Sequence, residues 1–169
     1  MKFVVRFAHL ERSPFISVGD VVTRGNVIGR MGGSPNYNGN PYYPIHLHID
    51  CRISEYDNGV QPQANWRLSH TPKMSTIGIE SKTQLDYFID NELFGGGKIR
   101  VTTKYNCIDY YRLHSKPHPA YDVVCDDVSK WDIFWNRSHD GEVISVGYDN
   151  PLGAGRGGYG HYAIIEFEI

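Results

Sequence analysis

The feature that most constrains this chain is the nonapeptide at residues 45–53, Ile-His-Leu-His-Ile-Asp-Cys-Arg-Ile. Apolar and polar residues alternate without a break. Successive side chains of an extended strand point to opposite faces, so Ile45, Leu47, Ile49 and Cys51 share one face and His46, His48, Asp50 and Arg52 the other. A helix would scatter both sets around its circumference. The segment therefore predicts a strand with one buried face and one face rich in imidazole and carboxylate.

The rest of the sequence agrees with short strands and many turns. Residues 3–10 form a mostly apolar run with β-branched and aromatic side chains. Residues 16–31 alternate short apolar runs with Gly-Asp and Arg-Gly-Asn steps, the chemistry of tight turns. Residues 32–44 are a polar loop containing Tyr37, Tyr42 and Tyr43. Strand-like segments return at 98–103, 121–125, 141–146 and 161–169. One helix is predicted, at 82–94. Ser81 and Gln84 have the spacing of a capping box, Leu85, Phe88, Ile89 and Leu93 share a face, and Gly95-Gly96-Gly97 follows as a terminator. The prediction is a single all-β domain over 1–169 with a small antiparallel sheet or barrel-like core and one peripheral helix.

Composition excludes several classes of function. The 169 residues carry 17 basic and 19 acidic side chains, a net charge of −2, so there is no electrostatic footprint for nucleic acid. No apolar run approaches the ~20 residues that cross a bilayer. Residues 1–9 have neither the long apolar stretch nor the cleavage site of a signal peptide. Three cysteines, Cys51, Cys107 and Cys125, have no zinc-ribbon spacing, and an odd number leaves at least one thiol outside any intrachain disulfide.

Three histidine motifs carry the chemistry. In His46-Leu47-His48 the two imidazoles leave the same strand face ~6.5–7 Å apart, so one can bind a metal while the other stands beside it. In His118-Pro119-Ala120-Tyr121-Asp122 the two end residues would lie ~13 Å apart on a regular strand. They can share an ion only if the chain bends, with His118 in a loop and Asp122 at the start of a strand. His9 sits in the apolar strand Phe7-Ala8-His9-Leu10. Zinc accepts imidazole and carboxylate, and a catalytic site keeps one position open for water.

Taken together, these pieces closely resemble the lysostaphin-like (LytM-type) zinc metallopeptidase family. Phe7-Ala8-His9-Leu10, the turn region from Val18-Gly19-Asp20 to Ile28-Gly29-Arg30, and His46-Leu47-His48 resemble the family's C-terminal half. The His118/Asp122 pair, Gly141-Glu142-Val143-Ile144 and Gly158-Tyr159-Gly160-His161-Tyr162 resemble its N-terminal half. The halves stand in the reverse of the family's order: 1–53 is the family's C-terminal half, 98–169 its N-terminal half, and 54–97 connects them. This order reads as a circular permutation whose new ends fall at a hairpin between residues 169 and 1. A swapped dimer, or a break in the gene or expressed segment, would give the same order.

The resemblance implies one zinc ion per chain held by His118, Asp122 and His48. It makes His46 the general base on the attacking water, and His9 the second catalytic histidine. Tyr37, Tyr42, Tyr43 and Tyr159 become candidates for lining a substrate groove. The implied activity is endopeptidase cleavage of cross-links or stem peptides in bacterial peptidoglycan. The implied setting is the cell envelope or a phage virion, with virion proteins as further partners. A non-catalytic wall-binding or regulatory module of the same fold is the alternative. The chain has no HExxH motif, which excludes a glutamate base carried on a zinc-binding helix. It departs from the family pattern at Ala120 (family Gly), at Pro44-Ile45 (family Gly-Pro) and in the longer loop 32–44. His114 stands near His118 but has no partner at family spacing. His70, His139 and His161 are assigned to surface or structure.

Overall fold

A computed structural model of the chain describes residues 2–33, 44–53, 89–104, 107–115, 118, 120–149 and 158–168. The fold is all-β. Among the described residues nine strands run in chain order: β1 (Lys2–Leu10), β2 (Val21–Val22), β3 (Val27–Arg30), β4 (Leu47–Ile53), β5 (Ile99–Thr103), β6 (Tyr121–Cys125), β7 (Asp132–Phe134), β8 (Gly141–Asp149) and β9 (Gly160–Glu168). Seven form one antiparallel sheet in the order β2-β8-β9-β1-β4-β6-β5, and β3 and β7 pair separately. Among the described residues the large sheet is open, with β2 and β5 as its edges, rather than closed into a barrel.

The central position belongs to β1, and its composition explains why. Every residue from Phe3 to Leu10 is buried, which requires cover on both faces of the strand. Phe3, Val5 and Phe7 join the main core with Leu47, Ile49, Cys51, Ile165 and Phe167 of the neighbouring strands. The β3–β7 pair closes this core through Ile28 and Ile133, with the adjoining Met31 and Trp135. The Trp135 ring meets Phe167 edge-on at 5.6 Å. On the opposite face, Val4, Ala8, Tyr162 and Ile164 make a smaller apolar cluster.

The alternation at 45–53 is realised with one displacement. Leu47, Ile49 and Cys51 are buried in the core as expected, but Ile45 precedes the strand and is exposed. His46 also precedes β4 and pairs through an isolated bridge with Gly32. The predicted turns near residues 19 and 25 are present. Asp20 accepts from the Ser17 amide and Asn26 from the Thr23 amide, while Gly19 and Gly25 both take φ of 92°.

The predicted helix at 82–94 is corrected at its C-terminal end. Residues 82–88 lie outside the described residues, as do Ser81, Gln84, Leu85 and Phe88. Asp90 is extended (φ −141°, ψ 170°) and caps a single 3-10 turn, Asn91–Phe94, by accepting from the Glu92 amide. A continuous helix through 94 is therefore broken at Asp90. The same carboxylate also accepts from Asn136 and Arg137, which draws the backbone out of helical geometry. Gly95 does terminate the element, in the left-handed conformation (φ 59°).

One helix, α1 (Ile108–His114), was not anticipated. It leaves Ile108, Tyr111 and Leu113 exposed, so no apolar stripe marks it in the sequence. Strand β7, three residues long, was also missed. Cys51, Cys107 and Cys125 take part in no disulfide. Among the described residues no helix is long and apolar enough to cross a membrane.

Candidate metal centre

The site lies on the face of the large sheet opposite the main core. Cross-strand register assembles most of it. His48 of β4 stands directly opposite Asp122 of β6 and, on its other side, opposite Ala8 of β1. His118 enters from the segment before β6, as the bend between it and Asp122 requires. The ligand atoms of His48, His118 and Asp122 all lie within 4.8 Å of one another. His48 Nδ1 is 3.2 Å from Asp122 Oδ1, and His118 Nε2 is 3.3 Å from Asp122 Oδ2. Ligands at ~2.0–2.1 Å around a tetrahedral ion stand about 3.3–3.4 Å apart, so these separations fit a divalent ion with little adjustment.

The outward nitrogens are tied to acceptors. His118 Nδ1–H donates to the Lys104 carbonyl at 3.2 Å, and His48 Nε2–H donates to Asp50 Oδ2 at 3.2 Å. Each bond leaves the other ring nitrogen, with its lone pair, for the cluster. The site can therefore hold a metal ion through two imidazoles and one carboxylate.

Two more histidines stand beside this set. His46 Nδ1–H donates to the Pro44 carbonyl, leaving Nε2 3.7 Å from Asp122 Oδ1. His9 lies with its ring centroid 4.8 Å from that of His46 and 5.5 Å from that of His48. Its backbone occupies the left-handed region (φ 61°), inside a register shift between Phe7 and Leu10 where β1 bulges away from β9. A non-glycine residue held there costs on the order of 1–3 kcal/mol. Two backbone bonds hold it: the His9 amide donates to the Tyr159 carbonyl at 2.8 Å, and the His9 carbonyl accepts from the Gly32 amide at 3.0 Å. The Gly32 carbonyl in turn accepts from the His46 amide at 2.9 Å, so one residue fixes both histidines. A Cβ on Gly32 would stand 2.5 Å from Glu11 Cα, which only glycine avoids.

Electrostatics separate the histidines into two kinds. Burial lowers the pKa of His9 well below the ordinary imidazole value, and the neighbouring His48 and His46 push it further down. Burial also lowers His46, against the charge of Asp122. Burial works against protonation of His48 as well, but hydrogen bonds to Asp122 and Asp50 outweigh it and raise its pKa. Burial opposes ionisation of Asp122, yet hydrogen bonds from His118 and His48 hold its carboxyl far below the usual range. At neutral pH the site thus has an ionised carboxylate and two neutral imidazoles, His9 and His46, that can accept a proton.

The remaining residues singled out in the sequence divide as follows. Tyr159 reaches the site, its ring edge-on to His48 at 5.7 Å. Tyr37, Tyr42 and Tyr43 lie outside the described residues, as does His70. His114 is on α1, and the His161 ring lies tilted against that of Tyr148 with centroids 4.6 Å apart. His139 offers its carbonyl to the Trp135 indole. Sequence reasoning put Asp50 on the histidine face but gave it no role, and missed Arg6 behind it and Tyr110, whose ring is 4.6 Å from His118. The signals were present: Asp50 is two residues from His48 on the same strand face, and Arg6 is the one charge between Phe3 and Ala8 of an apolar run.

No family model, curated protein or solved structure matches this chain.

Proposed function

We propose that this protein is a zinc-dependent endopeptidase that hydrolyses peptide cross-links or stem peptides of bacterial peptidoglycan, acting at the cell envelope or from a phage virion. The observation that carries the reading is the convergence of His48, Asp122 and His118, far apart along the chain, within 4.8 Å, with two neutral imidazoles beside them. The motif resemblance to lysostaphin-like peptidases supports the choice of zinc, substrate and roles. The donor set also favours zinc, which accepts nitrogen and carboxylate oxygen without a strict geometric demand.

When bound at such a site, zinc polarises a carbonyl as a Lewis acid and makes a water molecule acidic near neutral pH. The chain supplies the proton traffic. His46 Nε2, its tautomer set by the Pro44 carbonyl, accepts a proton from the attacking water and delivers it to the leaving amine. His9, held rigidly by its two backbone bonds, donates a hydrogen bond where negative charge develops on the scissile carbonyl oxygen. Tyr159 borders the same face.

Metal analysis with two variants tests this directly. His48→Ala is expected to lose the ion and all clearing of cell-wall suspensions. His46→Ala is expected to retain the ion and lose about 10²–10⁴-fold in rate. Clearing by both variants at the wild-type rate would overturn the assignment, and a mass-resolved digest of purified peptidoglycan identifies the bond cut.

A further inference from the structure

Arg6 and Asp50 form an ion pair beneath the metal-ligating cluster, and both are about 1% exposed. They are cross-strand partners of β1 and β4. Arg6 Nε donates to Asp50 Oδ2 at 2.9 Å, with Nη2 also 2.9 Å from that oxygen. The same oxygen accepts from His48 Nε2. The Tyr159 ring covers the guanidinium, its centroid 3.7 Å from Arg6 Cζ. Arginine, carboxylate and imidazole thus form a continuous path from the interior of the sheet to a metal ligand.

Stability alone is a poor reason for this arrangement. Removing two charges from water is costly, and apolar pairs of similar volume commonly replace buried ion pairs with no loss of stability. Val4, Ala8 and Ile164 already provide apolar neighbours on this face. What an apolar pair cannot do is accept the His48 Nε2–H.

We infer that Asp50 and Arg6 are positioning residues for the metal centre. Asp50 keeps the His48 proton on Nε2, and so keeps the Nδ1 lone pair directed at Asp122 and His118. Arg6, clamped under Tyr159, holds the Asp50 carboxylate at that nitrogen. An asparagine at position 50 can turn its NH2 towards Nε2 and reverse the tautomer. This inference rests on the metal-centre reading, so its test reports metal uptake and fold separately.

The experiment is a titration of the metal-free full chain with cobalt(II), followed by its visible absorption, alongside thermal unfolding of each metal-free protein. Asp50→Asn is expected to fold, to bind cobalt about 10–100-fold more weakly and to show an altered absorption band. The double variant Arg6→Met/Asp50→Leu is expected to unfold at or near the wild-type temperature and to bind with the same weakness. Cobalt binding of wild-type strength and spectrum by either folded variant would overturn the inference while leaving the metal centre intact. Loss of fold in both variants would assign the pair to stability and overturn it equally. A wild-type chain that takes up no cobalt would overturn the metal centre, and the positioning role with it.

Discussion

The two faces of the large sheet are built from the same strands to opposite specifications. On the core face, β1 and β4 present Phe3, Val5 and Phe7, and Leu47, Ile49 and Cys51. On the other face the same strands present Val4, Arg6 and Ala8, with His48 and Asp50, and Arg6 and Asp50 are as deeply buried as the phenylalanines. The core face needs only exclusion from water and a matched volume, so many side-chain sets would serve it. The site face needs a partner for every polar atom, and those partners are dictated by register: His48 opposite Asp122, Arg6 opposite Asp50. A slip of one residue between β4 and β6 would leave the core side chains reversed and the ligand set dispersed.

This contrast can be broken from either side. The largest effect is expected on the core face, where Phe7→Ala should cost about 3–5 kcal/mol in denaturant unfolding, through lost burial and the cavity left behind. The site face should respond in activity rather than stability. Gly32→Ala forces the backbone away from Glu11 and displaces both His9 and His46, neither of which is in the proposed ligand set. It should lower turnover on the order of 10²-fold while metal content, measured by atomic absorption, stays at one ion per chain.

Solution pH sharpens the comparison further. A metal ion must displace the proton that His48 holds below its raised pKa, whereas Asp122 is already ionised. Cobalt affinity should therefore rise about tenfold per pH unit up to that pKa and level off above it. In the metal-free chain, the raised His48 supports the fold below pH ~6.5 and loses that support as pH climbs through its folded value. His9 has the opposite sign. Its lowered pKa means that the unfolded chain takes up the proton first, so His9 destabilises the fold as pH falls below ~6.5. Histidine NMR titrations should show the two rings moving apart in this way. The smallest effect is expected at Val21 on the edge strand β2, 62% exposed, where Val21→Thr should change stability by no more than about 0.5 kcal/mol.

Much of the fold was legible because period-2 patterning and turn chemistry are local. The strands at 3–10, 99–103 and 121–125 and the turns at Gly19 and Gly25 could be read from neighbouring residues alone. The helix at 82–94 was misjudged at its end because Asp90 bonds to Asn136 and Arg137, residues more than forty positions away. Helix α1 carries no apolar stripe to announce it. The grouping of His48, His118 and Asp122 around one ion followed from the family resemblance, whereas the Arg6–Asp50 pair behind His48 did not.

The sequence by itself determined which side chains each strand offers to each face, because alternation in an extended chain is a property of the backbone. It also supplied the glycine at 32, where a Cβ would collide with Glu11 and displace His9 and His46. Apart from the meeting of the last and first strands, which the family resemblance implied, only the tertiary structure decided which strands lie side by side. The β1 strand pairs with both β9 and β4, so Lys2 stands opposite Glu168 and opposite ends of the chain share the centre of one sheet. That pairing depends on burying apolar surface from both halves at once. The same global condition places Arg6 under Asp50, and Asp50 behind His48.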